Sequence, residues 1–245
     1  MAETARNEII AYDSLEVCPY FGNRTARLPL RFAGDQVGSA EFDACLEQGD
    51  RRYGHFLYKA SCPDCSACEA IRLDVNAFSP SCTQRRVDRR GRREFTVRIG
   101  PPILDAERVR LFNLHMDRRG LSNNSPPIDE LAYRAFLVET CCDTFEVGYY
   151  LADRLTAVAI CDRGKSSISA VYCYYDVGAS HLSPGTFSIL TLIRLCRGWN
   201  MRYLYLGYYI AESPHMCYKA NFAPHERRIG GRWRRFDHRR LGRTA

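Results

Sequence analysis

The cysteines at positions 62, 65 and 68 form the densest group of potential metal ligands in the sequence. They make two overlapping C-x-x-C units within seven residues, and Cys18 lies 44 residues upstream. Three thiolates at this spacing, completed by a fourth from elsewhere, are typical ligands of zinc or of an iron–sulfur cluster. The same thiols could instead be structural or redox-active without a metal. Two interpretations are therefore open: a metal site at Cys18, Cys62, Cys65 and Cys68, or a group of free thiols.

A second feature that could do chemistry is the start of a predicted helix at Ser183-Pro184-Gly185-Thr186. Serine is a good N-cap residue, proline is favoured at the first helical position, and glycine lets a ligand approach the exposed backbone N–H groups. Helix N-termini of this kind bind phosphate or carboxylate groups. The alternative is a well-capped helix that binds nothing. Ser183, Gly185 and Thr186 are therefore candidate binding residues.

Three further candidates lie at or beyond the ends of predicted strands. Tyr208 belongs to an aromatic segment, 203–210, that could either line a pocket or pack in the core. Lys219 is one of only three lysines in the chain, and a cation in its position could hold an anionic group of a substrate. Asp176 follows the strand predicted over 167–175, where it could act on a substrate or be an ordinary turn residue.

Basic residues are concentrated in two stretches. Residues 85–98 contain seven arginines and two acids, and residues 227–245 contain eight arginines and one acid, although the net charge of the chain is only +7. Such patches are typical of contacts with a phosphate backbone. A solvated face, a frayed C-terminal tail and GC-rich codon usage are alternative origins of the arginine bias. Arg85 and Arg86 are candidates for binding a substrate, and no base-reading motif suggests a DNA partner.

The composition is that of a folded protein, since 46% of the 245 residues are hydrophobic and 26% are charged. The longest apolar stretch, 167–175, is interrupted by serines and is far shorter than the roughly 18 to 20 residues that span a bilayer. Residues 1–12 do not have the basic-then-apolar order of a secretion signal. We therefore expect a cytoplasmic protein without membrane contact, whose 12 cysteines are reduced.

These candidate residues must be positioned by a mixed α/β fold. Short extended segments are predicted over 71–75 and 95–99 in an otherwise irregular first half. Beyond them, the spacing of apolar residues predicts helices over 103–119, 129–140, 184–197 and 216–221, and strands over 145–151, 155–161, 167–175 and 203–210. The three consecutive strands form an antiparallel meander. This order is that of an acetyltransferase-like (GNAT) domain, in which the helix after the meander directs its N-terminus at an anionic donor, although a fold alone does not name a reaction.

Short motifs occur in a fixed order along most of the chain. They are Cys18-Pro19-Tyr20, Arg51-Arg52-Tyr53-Gly54, the Cys62 to Cys68 segment, Gln84-Arg85-Arg86, Ser169-Ala170-Val171-Tyr172 with Tyr174-Tyr175-Asp176, Leu206-Gly207-Tyr208-Tyr209-Ile210, and Met216 with Tyr218-Lys219-Ala220. Taken together, these motifs resemble those of the aminoacyl-tRNA-protein transferases. In size the chain is similar to the bacterial aspartate/glutamate leucyltransferases.

The resemblance implies a cysteine-bearing N-terminal domain over 1–100 and a GNAT-like C-terminal domain with a basic tail over 101–245. It implies transfer of an amino acid from charged tRNA to acceptor proteins that begin with Asp or Glu, in an N-degron pathway. We expect leucine from leucyl-tRNA, because the segments 172–175 and 203–210 offer aromatic and aliphatic residues with Asp176 as the sole acid. The chemistry would need no cofactor, and a zinc ion or iron–sulfur cluster would belong to the cysteines. We expect the following roles: Asp176 and Tyr208 near the reacting amine; Ser183, Gly185 and Thr186 at the tRNA 3′ end; and Arg85, Arg86 and Lys219 at the acceptor carboxylate or the tRNA phosphates.

Three alternatives stay open. Glu212, just beyond the segment 203–210, could receive a guanidinium, which keeps arginine from arginyl-tRNA as the second candidate donor. An acetyl-CoA-dependent acetyltransferase would use the same fold, although its pyrophosphate loop usually contains more glycines than residues 183–186 offer. A non-catalytic, nucleic-acid-binding zinc module would account for the cysteines and arginines but would leave the C-terminal half without a role.

Overall fold

The computed structural model describes residues 9–34, 36–122 and 125–237, so residues 238–245 of the second basic stretch lie outside the described residues, as do residues 1–8. The strands are β1 Ile9–Tyr12, β2 Leu15–Val17, β3 Thr25–Arg27, β4 Leu30–Phe32, β5 Arg51–Tyr53, β6 Phe56–Tyr58, β7 Glu69–Asp74, β8 Phe95–Gly100, β9 Thr144–Leu151, β10 Arg154–Arg163, β11 Ser167–Tyr175, β12 Tyr203–Tyr209, β13 His225–Ile229 and β14 Arg232–Phe236. The α-helices are α1 Ser39–Glu47, α2 Cys82–Glu94, α3 Ala106–Arg118, α4 Glu130–Tyr133 and α5 Pro184–Gly198.

A large sheet of eight strands carries the fold, in the order β14-β13-β7-β12-β11-β10-β9-β8. Its neighbouring strands are antiparallel except for β11 and β12, which are parallel. Parallel neighbours need a crossover connection, and α5 supplies it between β11 and β12. A small antiparallel sheet has the order β1-β4-β6-β5, and β2 pairs separately with β3.

The predicted meander is confirmed, because β9, β10 and β11 follow one another in the large sheet. The predicted strands at 71–75, 95–99 and 203–210 are β7, β8 and β12, and the predicted helix at 184–197 is α5. The mixed α/β fold expected from the pattern is therefore confirmed.

Two apolar layers cover opposite faces of the large sheet. Neighbouring strand residues alternate between them: Ala157 and Leu204 belong to the core around α5, whereas Val158 packs with α3 and Tyr205 packs with α1 and the small sheet. Since side chains along a strand alternate between faces, α5 covers one face, while α3, α1 and the small sheet cover the other. The strand ends are thus held rigidly from both sides.

The helix α2 was not expected, because its sequence is dominated by arginines. It begins with a reciprocal cap, in which the Ser81 hydroxyl accepts a hydrogen bond from the Gln84 N–H (3.0 Å) and the Gln84 side chain accepts one from the Ser81 N–H (2.8 Å). Gly91 packs against α5, where any Cβ would overlap the Phe187 ring. The basic stretch therefore projects from a helix that is fixed on the core.

Three other predicted helices differ in detail. The helix predicted over 103–119 begins only at Ala106, because Asp105 caps it. The one predicted over 129–140 is α4 followed by a π-helix, Arg134–Val138, and the one predicted over 216–221 is a 3₁₀ helix, Cys217–Asn221. None of the described helices is both long and apolar enough to cross a membrane.

The domain boundary predicted at residue 100 stays a prediction. The large sheet takes β7 and β8 from the first 100 residues and its other strands from the rest, so this sheet spans the boundary. The small sheet belongs wholly to the first 100 residues.

Candidate active site

The two parallel strands of the large sheet separate soon after they meet. β11 and β12 are paired only where Ser167–Ser169 lies beside Tyr203–Tyr205. Beyond this point, residues 170–173 of β11 are half-buried, and β12 shifts its register against β7 next to Gly207, whose φ is +83°. We call the region between residues 170–175 and 206–209 the strand gap.

Arg51 extends from the small sheet into the strand gap. Its guanidinium donates to the Ser169 hydroxyl (Nη1 to Oγ, 3.4 Å) and to the Ala170 carbonyl (Nη2 to O, 3.1 Å). A Cβ at position 207 would lie 3.0 Å from the Arg51 Cζ, so Gly207 provides the space that the guanidinium occupies. Only 8% of Arg51 is exposed.

Lys219 enters the same region from the 3₁₀ helix that follows β12. Its Nζ donates to the Tyr208 carbonyl at 2.7 Å, and 8% of the residue is exposed. Burial, with the charge of Arg51 as the next cause, lowers the pKa of Lys219 to about 7. Within the described residues, neither cation forms an ion pair with a carboxylate, so the gap holds two buried, uncompensated basic groups.

The N-terminus of α5 lies at the far end of β11. A Cβ at Gly185 would be 3.7 Å from the Tyr175 ring, and Pro184 is the first helical residue, as predicted. Ser183 occupies the N-cap position, as predicted, but its side chain does not cap the helix. Its backbone is left-handed (φ 56°, ψ 56°) and its side chain makes no capping hydrogen bond, so the first-turn amides of α5 are left without a side-chain cap.

Tyr208 connects the strand gap to the cysteine segment. Its hydroxyl accepts a hydrogen bond from the Ala60 N–H at 3.0 Å, and burial raises its pKa, so the phenol stays protonated. With the predicted metal ligands Cys62, Cys65 and Cys68 it lines a cavity of about 300 Å³. Tyr208 is therefore a buried hydrogen-bond donor at the edge of the site.

The four candidate metal ligands, Cys18, Cys62, Cys65 and Cys68, lie near one another in the structure. Burial, followed by the neighbouring thiols of Cys62, Cys18 and Cys65, raises the pKa of Cys68 to about 12. The described residues contain no group of three His, Cys, Asp or Glu side chains that is arranged to hold a metal ion. The predicted site stays a prediction, to be tested by metal analysis of the purified protein.

Asp176 is held in a turn. Its carboxylate pairs with Arg154 at 2.6 Å and accepts a hydrogen bond from the Gly178 N–H at 2.9 Å, and these contacts lower its pKa. A carboxylate with a lowered pKa is a weak base, and no described contact joins it to Tyr208. This geometry favours the turn interpretation over a role at the reacting amine.

A second basic region lies between α2 and α5, away from the strand gap. This arginine groove has a volume of about 660 Å³ and is lined by Arg85, Arg89, Arg92, Arg93, Arg194 and Arg197 around the apolar residues Phe78, Leu190 and Ile193. Its single lining acid, Asp88, pairs with Arg194. Arg89 and Arg92 are exposed and bond to no other described residue. Arg86 is exposed but does not line the groove.

The structure brings Lys219 and Tyr208 together and places Arg85 elsewhere, in the arginine groove. The residue that sequence reasoning missed as a site residue is Arg51. Its signal was the motif Arg51-Arg52-Tyr53-Gly54, but the sequence does not reveal that this strand inserts its arginines into the large sheet.

Comparisons with known proteins agree with the ordered motifs. Residues 16–86 match the family described as "Arginine-tRNA-protein transferase, N terminus", and residues 107–229 match its C-terminal counterpart. An aspartate/glutamate leucyltransferase of Halorhodospira halophila is 34% identical over 219 residues, covering 89% of this chain and 92% of the relative. One from Vibrio cholerae is 30% identical over 217 residues, covering 89% and 92%.

Among solved structures, a crystal structure of FemX covers 82% of this chain and 80% of its own, with a TM-score of 0.46 at 10% identity. A likeness of this degree says nothing about the reaction. The matches along the sequence cover both the strand gap and the cysteine segment. The chain belongs to the arginine-tRNA-protein transferase family.

Proposed function

We propose that this protein transfers leucine from leucyl-tRNA to the N-terminal α-amine of proteins that begin with Asp or Glu. The observation that carries the proposal is the pair of buried cations, Arg51 and Lys219, which lack a carboxylate partner in the described chain. An acidic acceptor would supply that partner. Relatives named aspartate/glutamate leucyltransferase support the same acceptor and donor.

Leucine is favoured over arginine as the transferred residue, because a guanidinium would need a free carboxylate. The two acids considered for this role are both engaged. Asp176 pairs with Arg154, and Glu212 pairs with Arg24 at 2.8 Å on the surface. An apolar side chain needs only burial, which stabilises a bound leucine by about 1.5 to 3 kcal/mol.

The reaction is aminolysis of an ester. The α-amine of the acceptor attacks the aminoacyl carbonyl, an amide bond forms, and the terminal ribose hydroxyl of the tRNA leaves with a proton. An α-amine with a pKa of about 8 is roughly 10% neutral at pH 7, so deprotonating it costs only about 1.4 kcal/mol. Holding amine and ester together contributes several kcal/mol more.

No strong general base is therefore required, in keeping with the engagement of Asp176 in its turn. The developing oxyanion needs a hydrogen-bond donor that keeps its proton. Tyr208 is our candidate, since its raised pKa leaves the hydroxyl protonated and its oxygen is fixed by the Ala60 amide. Tyr208→Phe is expected to slow transfer while leaving the binding of both substrates unchanged.

The arginine groove is the proposed binding surface for tRNA phosphates. Two of its exposed arginines, Arg89 and Arg92, bond to no other described residue and are free to form bidentate contacts with phosphates. The uncapped N-terminus of α5 would receive the anionic 3′ end, as the resemblance to GNAT domains implies. A reaction that consumes charged tRNA is proposed to take place in the cytoplasm.

The proposal is tested by mass spectrometry of an Asp-start peptide supplied with leucyl-tRNA and arginyl-tRNA at equal concentration, and in a separate reaction with acetyl-CoA. Addition of leucine is the expected product. Predominant addition of arginine would overturn the donor assignment, whereas an acetylated peptide would overturn the tRNA-dependent reaction. A protein that modifies the peptide in neither reaction would support the non-catalytic alternative.

A further inference from the structure

We propose that Arg51 is the residue that selects acidic acceptors, by binding the side-chain carboxylate of the acceptor's first residue in the strand gap, with Lys219 as the second cation. This inference rests on the proposed function and assigns its acceptor specificity to a residue of the small sheet. Arg51 has no proposed role in binding the aminoacyl-tRNA donor.

The neighbouring arginine shows what a buried charge with a carboxylate partner looks like in this fold, although the Arg52 Nη2 is itself buried without a hydrogen-bond partner among the described residues. Arg52 donates from Nε to the Asp162 carboxylate at 2.7 Å, and both side chains are completely buried. Arg51, one residue earlier and 8% exposed, has only a hydroxyl and a carbonyl as acceptors within the described part of the chain. Burying a charge costs free energy unless the charge is paired. Since Arg51 lacks the carboxylate partner that Arg52 has, the difference indicates that Arg51 binds an anionic group of a ligand.

The remaining donors of both cations point to a carboxylate as that anion. A guanidinium has five N–H donors and an ammonium has three. Ser169 and Ala170 accept from two different nitrogens of Arg51, and Lys219 donates to the Tyr208 carbonyl and contacts the Met216 sulfur at 3.7 Å. Donors remain on each cation for the two oxygens of one carboxylate.

The size of the region distinguishes a side-chain carboxylate from a tRNA phosphate. The guanidinium fills the space beside Gly207, where even a Cβ would be 3.0 Å from Arg51 Cζ, and each cation has a residual exposure of 8%. A carboxylate on a short aliphatic stem can enter through such an opening. A phosphodiester would have to bring its two flanking riboses into the core as well.

The experiment compares Arg51→Gln with the wild type on two matched peptides that begin with Asp or Asn, with leucyl-tRNA as donor. For the wild type we expect kcat/KM to favour Asp by at least about 100-fold, since the amide leaves two cations unpaired. For Arg51→Gln we expect the preference to fall below about threefold, through loss on Asp alone. Arg118→Gln, on the exposed end of α3, is the control and should keep the wild-type ratio.

Two results would overturn the assignment while leaving the transferase function intact. One is an Asp-to-Asn ratio that Arg51→Gln leaves unchanged. The other is an equal loss on both peptides with a raised KM for leucyl-tRNA, which would indicate a phosphate ligand. If Arg51→Gln does not fold, Arg51→Lys is tested instead, since it keeps the charge. This variant should raise KM for the Asp peptide several-fold and leave the rate on the Asn peptide unchanged, because an ammonium cannot form the two parallel hydrogen bonds of a guanidinium. A wild-type protein that transfers no leucine to either peptide would contradict the proposed function itself.

Discussion

The strand gap and the arginine groove are both basic, but their charged groups differ in exposure to solvent. Six arginines line the groove around an apolar floor, and five of them are exposed to solvent. The gap buries two cations, Arg51 and Lys219, between separating strands. Exposed charges are screened by salt and stabilise any polyanion to a similar extent, whereas buried charges are screened little and discriminate between ligands. The groove should therefore determine tRNA affinity, and the gap should determine which acceptor reacts.

The largest expected effect is in the gap. In Lys219→Met, the second cation is lost, and transfer to an Asp-start peptide should fall by about 100-fold or more, as for other buried charge partners. Because burying the unpaired ammonium is costly, the same variant should unfold at a temperature equal to or above that of the wild type. Transfer assays and thermal unfolding together provide the check. A destabilised variant whose transfer is unaffected would contradict the distinction.

Mutations in the groove should have a smaller effect, and they should change tRNA binding rather than acceptor selection. Reversing two of its free side chains in Arg89→Glu/Arg92→Glu should raise KM for leucyl-tRNA by about tenfold or more and reduce the salt slope of binding by about 2. The Asp-to-Asn ratio should not change. The matched control reverses two exposed arginines outside the groove, Arg118→Glu/Arg134→Glu, and a similar rise in KM there would show that the effect is not local.

Gly207→Ala tests whether the Arg51 guanidinium needs the space beside residue 207. The added methyl meets the Arg51 guanidinium at 3.0 Å, and the φ of +83° strains any residue with a Cβ. We expect a loss of about 1 to 3 kcal/mol in the free energy of unfolding and a smaller Asp-to-Asn ratio. Denaturant titration measures the first and peptide competition the second. A variant with a normal ratio would show that the guanidinium does not need this position.

The smallest expected effect is the pH dependence of selectivity. The pKa of Lys219, lowered to about 7, means that its charge is lost as pH rises through that value. The raised pKa values of Cys68 and Tyr208 keep both groups neutral. The acceptor amine affects both peptides equally. The Asp-to-Asn ratio should therefore fall several-fold between pH 6 and pH 8.5 in the wild type.

Lys219→Arg should remove this decline, because a guanidinium remains charged over the whole range. The lowered pKa of Lys219 also makes the free energy of unfolding depend on pH. Between about pH 7 and the ordinary value of 10.5 the unfolded chain binds more protons at this residue, so the free energy of unfolding should rise with pH. A ratio that increases with pH in the wild type would contradict the role of Lys219.

The long apolar elements of the fold could be predicted from the sequence, whereas the basic helix α2 could not. The meander, α5 and β12 follow from apolar periodicity, because they are long segments buried against one another. The helix α2 escaped prediction because its packing on α5 depends on Val87 and on Gly91 beside Phe187, while charged residues fill most other positions. Its reciprocal cap at Ser81 and Gln84 was a readable signal.

Within the site, residue types were easier to predict than their partners. Lys219 stood out because lysine is rare in this chain. Arg51 did not stand out among 32 arginines, since its side-chain contact with β11 joins residues that are far apart in the sequence. Likewise, only the fold reveals that Asp176 faces Arg154 and that Ser183 is left-handed.

The most direct test of the division between groove and gap is one salt titration of the wild-type protein. Leucine transfer to Asp-start and Asn-start peptides is measured in the same reaction from low to high NaCl. We expect KM for leucyl-tRNA to rise steeply, by about tenfold or more, while the Asp-to-Asn ratio changes by less than about threefold. A ratio that collapses in parallel with tRNA affinity would place acceptor selection on the exposed surface and contradict the assignment of selectivity to Arg51 and Lys219.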